Sequence, residues 1–280
     1  MDQNTNTATV AHAAVSDHEW RPERYSDGAF SHSLSTELER LQLLESVLDK
    51  HTTARLEILG VGPGRTCLEI GAGAGSVARW MARQGASVIA TDLDTKFIED
   101  LPSQEPGLRV MSHDVYTDDF PAASFDVIHA RYVLVHLPDQ QKAISRLVSW
   151  LAPGGVLLIE EPAFFPVENA PHQAYRTVMR AFRDYSEEVI GTDTEWARTL
   201  PLPLLSAGLG NVEMEARQQM IRGGDSVASW WQLTLEQTRP HIVARGAVPS
   251  AMFDQAYAEL NDPAFRDLSL AAFTAWGYRS

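Results

Sequence analysis

Apolar positions along the chain follow two different rhythms. Leu34, Leu38, Leu41, Leu44 and Leu48 recur every three or four residues across 34–50, which places them on one face of a helix. Ser35 or Thr36 stands where that helix needs an N-cap. From residue 66 the pattern changes. Short apolar runs at 66–70, 87–91, 108–111, 125–130 and 156–160 read as buried strands. The stretches 77–84, 94–101 and 139–151 between them read as helices, the last stopped by Pro153-Gly154-Gly155. Strands and helices in alternation predict a parallel sheet with helices on both faces. Beyond 161 the rhythm changes again. Residues 162–205 read as helical and carry Phe164, Phe165, Tyr175, Phe182, Tyr185 and Trp196. A strand at 212–216, helices near 225–238 and 249–260, and a β-compatible run at 268–278 complete the pass. The expected organisation is a disordered leader (1–20), an N-terminal helical cap (21–60) and an α/β core (61–161). A helical substrate-binding insert (162–205) and a C-terminal part of the sheet with added helices (206–280) follow.

Composition narrows the classes. With 44% hydrophobic and 21% charged residues among 280, the chain is of ordinary globular type. No window approaches the roughly 20 apolar residues of a membrane span, and the first residues lack the basic start and apolar run of a signal peptide. A net charge of -14 without a dense Lys/Arg run makes nucleic acid and anionic membranes poor partners. A small-molecule substrate fits better, and nothing argues against a homo-oligomer. The single cysteine, Cys67, lies in an apolar strand and reads as a buried structural thiol. Together these features predict a cytoplasmic protein.

The segment Glu69-Ile70-Gly71-Ala72-Gly73-Ala74-Gly75 carries the most chemistry. Glycines between a strand and a helix let a ligand approach the backbone, at the carboxyl edge where open α/β sheets bind ligands. Asp92 ends the second strand, the usual place for a carboxylate on ribose hydroxyls. A nicotinamide-dependent oxidoreductase would show Gly-x-Gly-x-x-Gly. Here the glycines are at 71, 73 and 75, with Ser76 next. Glu69 would also be unfavourable beside a pyrophosphate but favourable beside an ammonium and a sulfonium. The oxidoreductase reading stays open at this level. So does a repurposed protein that binds a cofactor without methylating, or that catalyses a cyclisation.

Five segments, taken in order, resemble the motifs of class I S-adenosylmethionine-dependent methyltransferases, in the style of bacterial small-molecule enzymes. They are the glycine segment; Thr91-Asp92-Leu93-Asp94; Ser112-His113-Asp114-Val115; Ser124-Phe125-Asp126-Val127-Ile128-His129-Ala130-Arg131; and Leu151-Ala152-Pro153-Gly154-Gly155-Val156. The resemblance implies a doubly wound, seven-stranded, mostly parallel sheet of Rossmann-like type with added helices. The 268–278 run would be its antiparallel last strand. It implies S-adenosylmethionine as cofactor and no metal. Glu69 and the loop Gly71, Ala72, Gly73 and Gly75 would hold the methionine end. Asp92 would take the ribose and Leu93 the adenine face, while Asp114 and the Val115 backbone would meet the adenine edge. Arg131 would sit near the sulfonium, and Tyr25 would close over the cofactor.

Methyl transfer to oxygen or carbon often needs a base as well as proximity. His136, shortly after the fourth strand, is the best placed, and an unperturbed imidazole titrates near about 6.5. Glu160 and Glu161, at the end of the fifth strand, are reserves. The chain lacks an Asn/Asp-Pro-Pro-aromatic motif after the fourth strand and a Pro-Cys nucleophile, which argues against nucleobase methylation. The expected acceptor is a small, apolar or aromatic metabolite.

Overall fold

The computed structural model describes residues 28–280. Tyr25 and the expected leader lie outside the described residues. Seven strands form one sheet: β1 (Thr66–Ile70), β2 (Ser87–Asp92), β3 (Leu108–Ser112), β4 (Phe125–Arg131), β5 (Leu151–Ala163), β6 (Gly210–Arg222) and β7 (Arg266–Tyr278). Their order is β3-β2-β1-β4-β5-β7-β6. All pairs from β3 to β5 are parallel, and β7 runs antiparallel to both its neighbours. The chain winds outward from β1 in one direction and from β4 in the other. The crevice for a ligand therefore lies at the carboxyl ends of β1 and β4.

The helices are α1 (Glu37–Ile58), α2 (Ser76–Arg83), α3 (Leu101–Gln104), α4 (Gln140–Trp150), α5 (Gln173–Tyr185), α6 (Pro201–Ser206), α7 (Ser226–Ala244) and α8 (Ser250–Asn261). Side chains alternate across the sheet. Cys67, Val127, Val156 and Leu158 face a core shared with Leu56 of α1 and Val77, Ala78 and Met81 of α2. Leu68, Ile70, Ile128 and Ile159 face the opposite core, with Ile144 and Leu147 of α4 and Leu204 of α6. A third core lies beyond the sheet's carboxyl edge. There α5, α7 and α8 bury Tyr175, Phe182, Trp230, Trp231 and Phe253 against Leu43, Leu44 and Val47 of α1. Residues 162–205 therefore divide: β5 runs on to Ala163, α5 joins the cap, and α6 packs on the sheet.

Some elements differ from their sequence pattern. No helix spans 94–100; turns lead into the four-residue α3, which starts at Leu101. Asp92 Oδ1 accepts from the Asp94 amide and Asp94 Oδ1 from the Lys96 amide. Such local carboxylate–backbone bonds compete with a helix. α1 runs eight residues past 50, to Ile58. Thr36 holds the N-cap position without a capping bond; its hydroxyl accepts from Gln237 Nε2 of α7 at 3.0 Å. Pro153-Gly154-Gly155 lies within β5, at an irregularity between the Phe125–Leu151 and Val127–Val156 pairs.

Candidate functional site

The glycine loop is built by backbone geometry that only glycine tolerates well. Gly71 and Gly75 have φ of +65° and +87°. A Cβ on Gly71 would lie 2.4 Å from Val133 Cγ2, and one on Gly75 2.5 Å from Leu101 Cδ1. At Gly73 a Cβ would meet only Leu41 of α1, at 3.7 Å, so the loop is less crowded there. The Ala72 amide donates to the Thr91 carbonyl, which ties the loop to the end of β2.

Asp92 joins that loop directly. Its Oδ2 accepts from the Gly73 amide at 2.9 Å. Burial raises its pKa, opposed by the bond from Gly73. Beyond it, Leu93 and Met111 are exposed apolar side chains at the ends of β2 and β3, a surface suited to a flat base. Val115 is buried, while Asp114 Oδ1 accepts from the Tyr116 amide in a local turn. The structure thus gathers Gly71, Ala72, Gly73, Gly75, Asp92 and Leu93 on one edge, with Asp114 and Val115 following β3 beside them.

Glu69 and Arg131 have further roles that their positions in the sequence do not reveal. Glu69 is buried, and its Oε2 accepts from His129 Nδ1 at 2.7 Å. His129 Nε2 meets Glu160 Oε2 at 3.0 Å. Glu160 also accepts from Thr52 Oγ1 at 2.6 Å and Thr274 Oγ1 at 3.1 Å. Arg131 points to α1, donating to Thr52 Oγ1 and Asp49 Oδ1 at 2.8 and 3.0 Å. Asp49 in turn accepts from Ser76 Oγ, and Glu45 accepts from the Ser76 amide at the start of α2. Burial alone would push the His129 imidazole down. The Glu69 charge and the bonds to both carboxylates outweigh it and lift the pKa to about 9. Burial would likewise raise Glu160, but His129 and Arg131 hold it below the ordinary value.

The turn after β4 is strained and braced. Tyr132 has φ of +59°, uncommon for a bulky residue. Its amide donates to the Glu160 carbonyl. Glu161 Oε1 accepts from the amides of Val133 and Leu134, and burial lifts its pKa to about 8. Glu161 thus anchors the turn that carries His136. His136 Nδ1 meets Thr192 Oγ1 at 2.9 Å. Burial, aided by the Arg40 guanidinium, pushes the ring down to about 4. The titration near 6.5 expected from the sequence is therefore replaced by a ring that stays neutral through the physiological range.

The segment entering α1 crosses between the cap and the β2 edge. Ala29 and Phe30 are buried in the cap, with the Arg40 guanidinium 4.5 Å from the Phe30 ring centroid. His32 lies 3.5 Å from Asp94 and stacks near Phe97, and its carbonyl accepts from Lys96 Nζ. Sequence reasoning missed Glu45, Asp49, Thr52 and His129. A signal for His129 was present: Glu69 and His129 are register partners on β1 and β4, and Glu160 lies on β5 two residues beyond Leu158, the partner of His129. Among the described residues, no group of three or more His, Cys, Asp or Glu side chains is arranged to hold a metal ion, and no helix is long and apolar enough to cross a membrane.

Comparison with known proteins agrees with this geometry. Residues 39–202, more than half of the chain, match the family described as a methyltransferase domain. The chain is 33% identical over 188 residues to methyltransferase str2 of Strobilurus tenacellus, covering 64% of this chain and 65% of that protein. It is 29% identical over 161 residues to the ubiquinone biosynthesis O-methyltransferase of Cupriavidus pinatubonensis, covering 54% and 62%. The fold is similar to that of Haemonchus contortus phosphoethanolamine N-methyltransferase 2 in complex with phosphomonomethylethanolamine and S-adenosylhomocysteine. That match has a TM-score of 0.61 at 18% identity and covers 91% of this chain and 61% of the other. The chain thus spans less than two thirds of the length of each of these proteins. The ordered motifs, the sheet topology and the domain match together establish that the chain belongs to the class I S-adenosylmethionine-dependent methyltransferase family.

Proposed function

We propose that the protein transfers a methyl group from S-adenosylmethionine to an oxygen, carbon or nitrogen atom of a small, apolar or aromatic metabolite. The observation that carries this reading is the junction of Asp92 with the Gly73 amide at the sheet's crossover point. The residues fit the cofactor. Positive-φ glycines bring bare backbone to the crevice, and Glu45, Asp49 and Glu69 supply negative charge around it. Leu93 and Met111 offer an apolar face beside Asp92. In this reading Glu69 and the loop 71–75 hold the methionine end. Asp92 takes the ribose, Leu93, Asp114 and Val115 surround the adenine, and Arg131 braces α1 beside the sulfonium. Phe30 and His32, at the entry to α1, border the site. When bound, the cofactor supplies an electrophilic methyl group on a sulfonium.

His136 is proposed as the base. In the neutral tautomer that carries its proton on Nδ1, toward Thr192, Nε2 is the acceptor nitrogen. A pKa near 4 makes it a weak base, matched to an acceptor hydroxyl whose proton leaves as the new bond forms.

The cap supports a neutral acceptor. Along α7, Trp230 Nε1, Thr234 Oγ1 and Gln237 Oε1 have no hydrogen-bond partner among the described residues and recur at helical spacing on one face. They offer a donor, a hydroxyl and an acceptor among aromatic walls. Two cations of α1 and β4 are committed: Arg40 pairs with Glu37 at 2.6 Å, and Arg131 with Asp49. That arrangement favours neutral polar groups over a phosphate. The acidic charge favours a small molecule over nucleic acid, and the single buried cysteine suits a cytoplasmic setting.

The test is turnover of methyl-labelled S-adenosylmethionine with a panel of neutral phenols and with phosphoethanolamine. Label in a phenol, with matching S-adenosylhomocysteine, is the expected result. Label in phosphoethanolamine alone contradicts the acceptor class, and no labelled product from any acceptor contradicts methyl transfer to small molecules.

A further inference from the structure

The buried ladder behind the glycine loop has a directed hydrogen-bond order. Arg131 donates to Thr52, Thr52 donates to Glu160, and Thr274 donates to Glu160 from β7. His129 stands between Glu160 and Glu69, fully buried, with its two ring nitrogens 3.0 and 2.7 Å from one oxygen of each. Only the doubly protonated ring donates to both carboxylates at once. Glu69 Oε2 is consumed by that bond, while Oε1 takes no hydrogen bond from any described group. Two residues further along β1, the backbone enters the glycine loop.

We propose that His129 is a positioning residue: its doubly donating ring fixes Glu69 so that Oε1 is presented to the cationic amino-acid end of the cofactor. Through Glu160 and Thr52 the same ring couples that carboxylate to the seating of α1. This inference rests on the cofactor reading above. Without the Nδ1 donor, Glu69 is a buried carboxylate with nothing to orient it. Without the Nε2 donor, Glu160 keeps Thr52 and Thr274, so Glu69 is the more sensitive partner. The charged and titratable groups around the ring are Glu69 on β1, Arg131 on β4, Glu160 on β5 and Asp49 on α1. The imidazole is lifted to about 9, above its ordinary value near 6.5. Its contribution is therefore complete below about 6.5 and is lost as pH rises through about 9.

The test compares His129→Asn and His129→Gln in the full chain, with thermal unfolding and calorimetry using S-adenosylhomocysteine and S-adenosylmethionine. Asn places its amide donor near the Nδ1 position, and Gln near the Nε2 position. His129→Asn should keep affinity within about threefold at pH 7, whereas His129→Gln should lose tenfold or more at a similar melting temperature. The wild-type affinity should weaken as pH rises through about 9, and His129→Asn should show no such limb. Equal affinities for the two variants, or the same alkaline limb in both wild type and His129→Asn, overturn the proposal. Should His129→Gln fail to fold, Glu160→Gln serves instead. It should move the alkaline limb below 9 with pH 7 affinity retained, and an unmoved limb overturns the proposal. Wild-type protein that binds neither ligand sinks the cofactor reading itself, a result distinct from variants that bind alike.

Discussion

The carboxyl edge beneath α1 and the cap above it treat buried polar atoms in opposite ways. Beneath α1, His129, Arg131 and Glu160 share a ladder in which each has a charged or hydroxyl partner. In the cap, Tyr175 Oη, Trp230 Nε1, Thr234 Oγ1, Gln237 Oε1 and Asp267 Oδ2 are buried without a hydrogen-bond partner among the described residues. An unmade buried bond costs about 1–3 kcal/mol, so native proteins seldom keep several together. The contrast assigns the two regions different tasks. In the proposed reading the edge is set in advance for the charged cofactor: the ladder around His129 satisfies itself, while Glu69 Oε1 and Glu161 Oε2 are left without a partner among the described residues. In the same reading the cap keeps open valences for an acceptor that supplies the missing partners. The boundary between them runs along α1, which gives Asp49 and Thr52 to the ladder and Leu43, Leu44 and Val47 to the cap.

The largest effect is expected at the turn after β4. His136→Ala should lower turnover by roughly 100- to 10,000-fold while cofactor affinity stays near wild type. Because the ring is pushed down to about 4, wild-type rate should be flat from pH 6 to 8. A steep rise near 6.5, or retained turnover in the variant, would return His136 to a packing role. Next comes the prearranged edge. Asp92→Ala removes the partner of the Gly73 amide as well as the ribose acceptor, and should weaken cofactor binding by about 3 kcal/mol. Calorimetry on folded variant protein checks this; unchanged affinity would separate Asp92 from the cofactor. The smallest effect falls in the cap. Thr234→Val deletes an unpartnered hydroxyl, so stability should hold or rise while the acceptor KM increases about fivefold, near 1 kcal/mol. A variant that is destabilised with an unchanged KM would show that the open valences of the cap are not for the acceptor.

The contrast also explains what the sequence made legible. Strand β1, strand β4 and residues 156–160 of β5 were readable because each is a short, largely buried run bounded by glycine or polar residues, whereas β2 and the edge strand β3 are partly exposed and were placed by their alternation with helices. The glycine loop and Asp92 were readable because spacing alone puts them at one sheet edge. β6 starts two residues before and ends six after the expected 212–216 strand, and β7 starts two before 268, because their ends leave the core and pair alongside the cap. Half-exposed strands of mixed polarity carry no clear period, and nothing local marks where they stop. The helix expected at 94–101 gave way to carboxylate-bonded turns, a competition that periodicity does not register. His129 was hidden for a different reason. A lone histidine in an apolar strand looks like packing until its cross-strand neighbours are known, and Glu69 and Glu160 are 60 and 31 residues away.

The measurement that tests the central claim most directly is titration calorimetry of the full chain with S-adenosylhomocysteine and with NADH, paired with thermal unfolding. The account predicts that S-adenosylhomocysteine binds and that NADH does not. At 100 times its Kd the first should add about 2.7 kcal/mol of stability. Selective binding and stabilisation by NADH, with no response to S-adenosylhomocysteine, would contradict it.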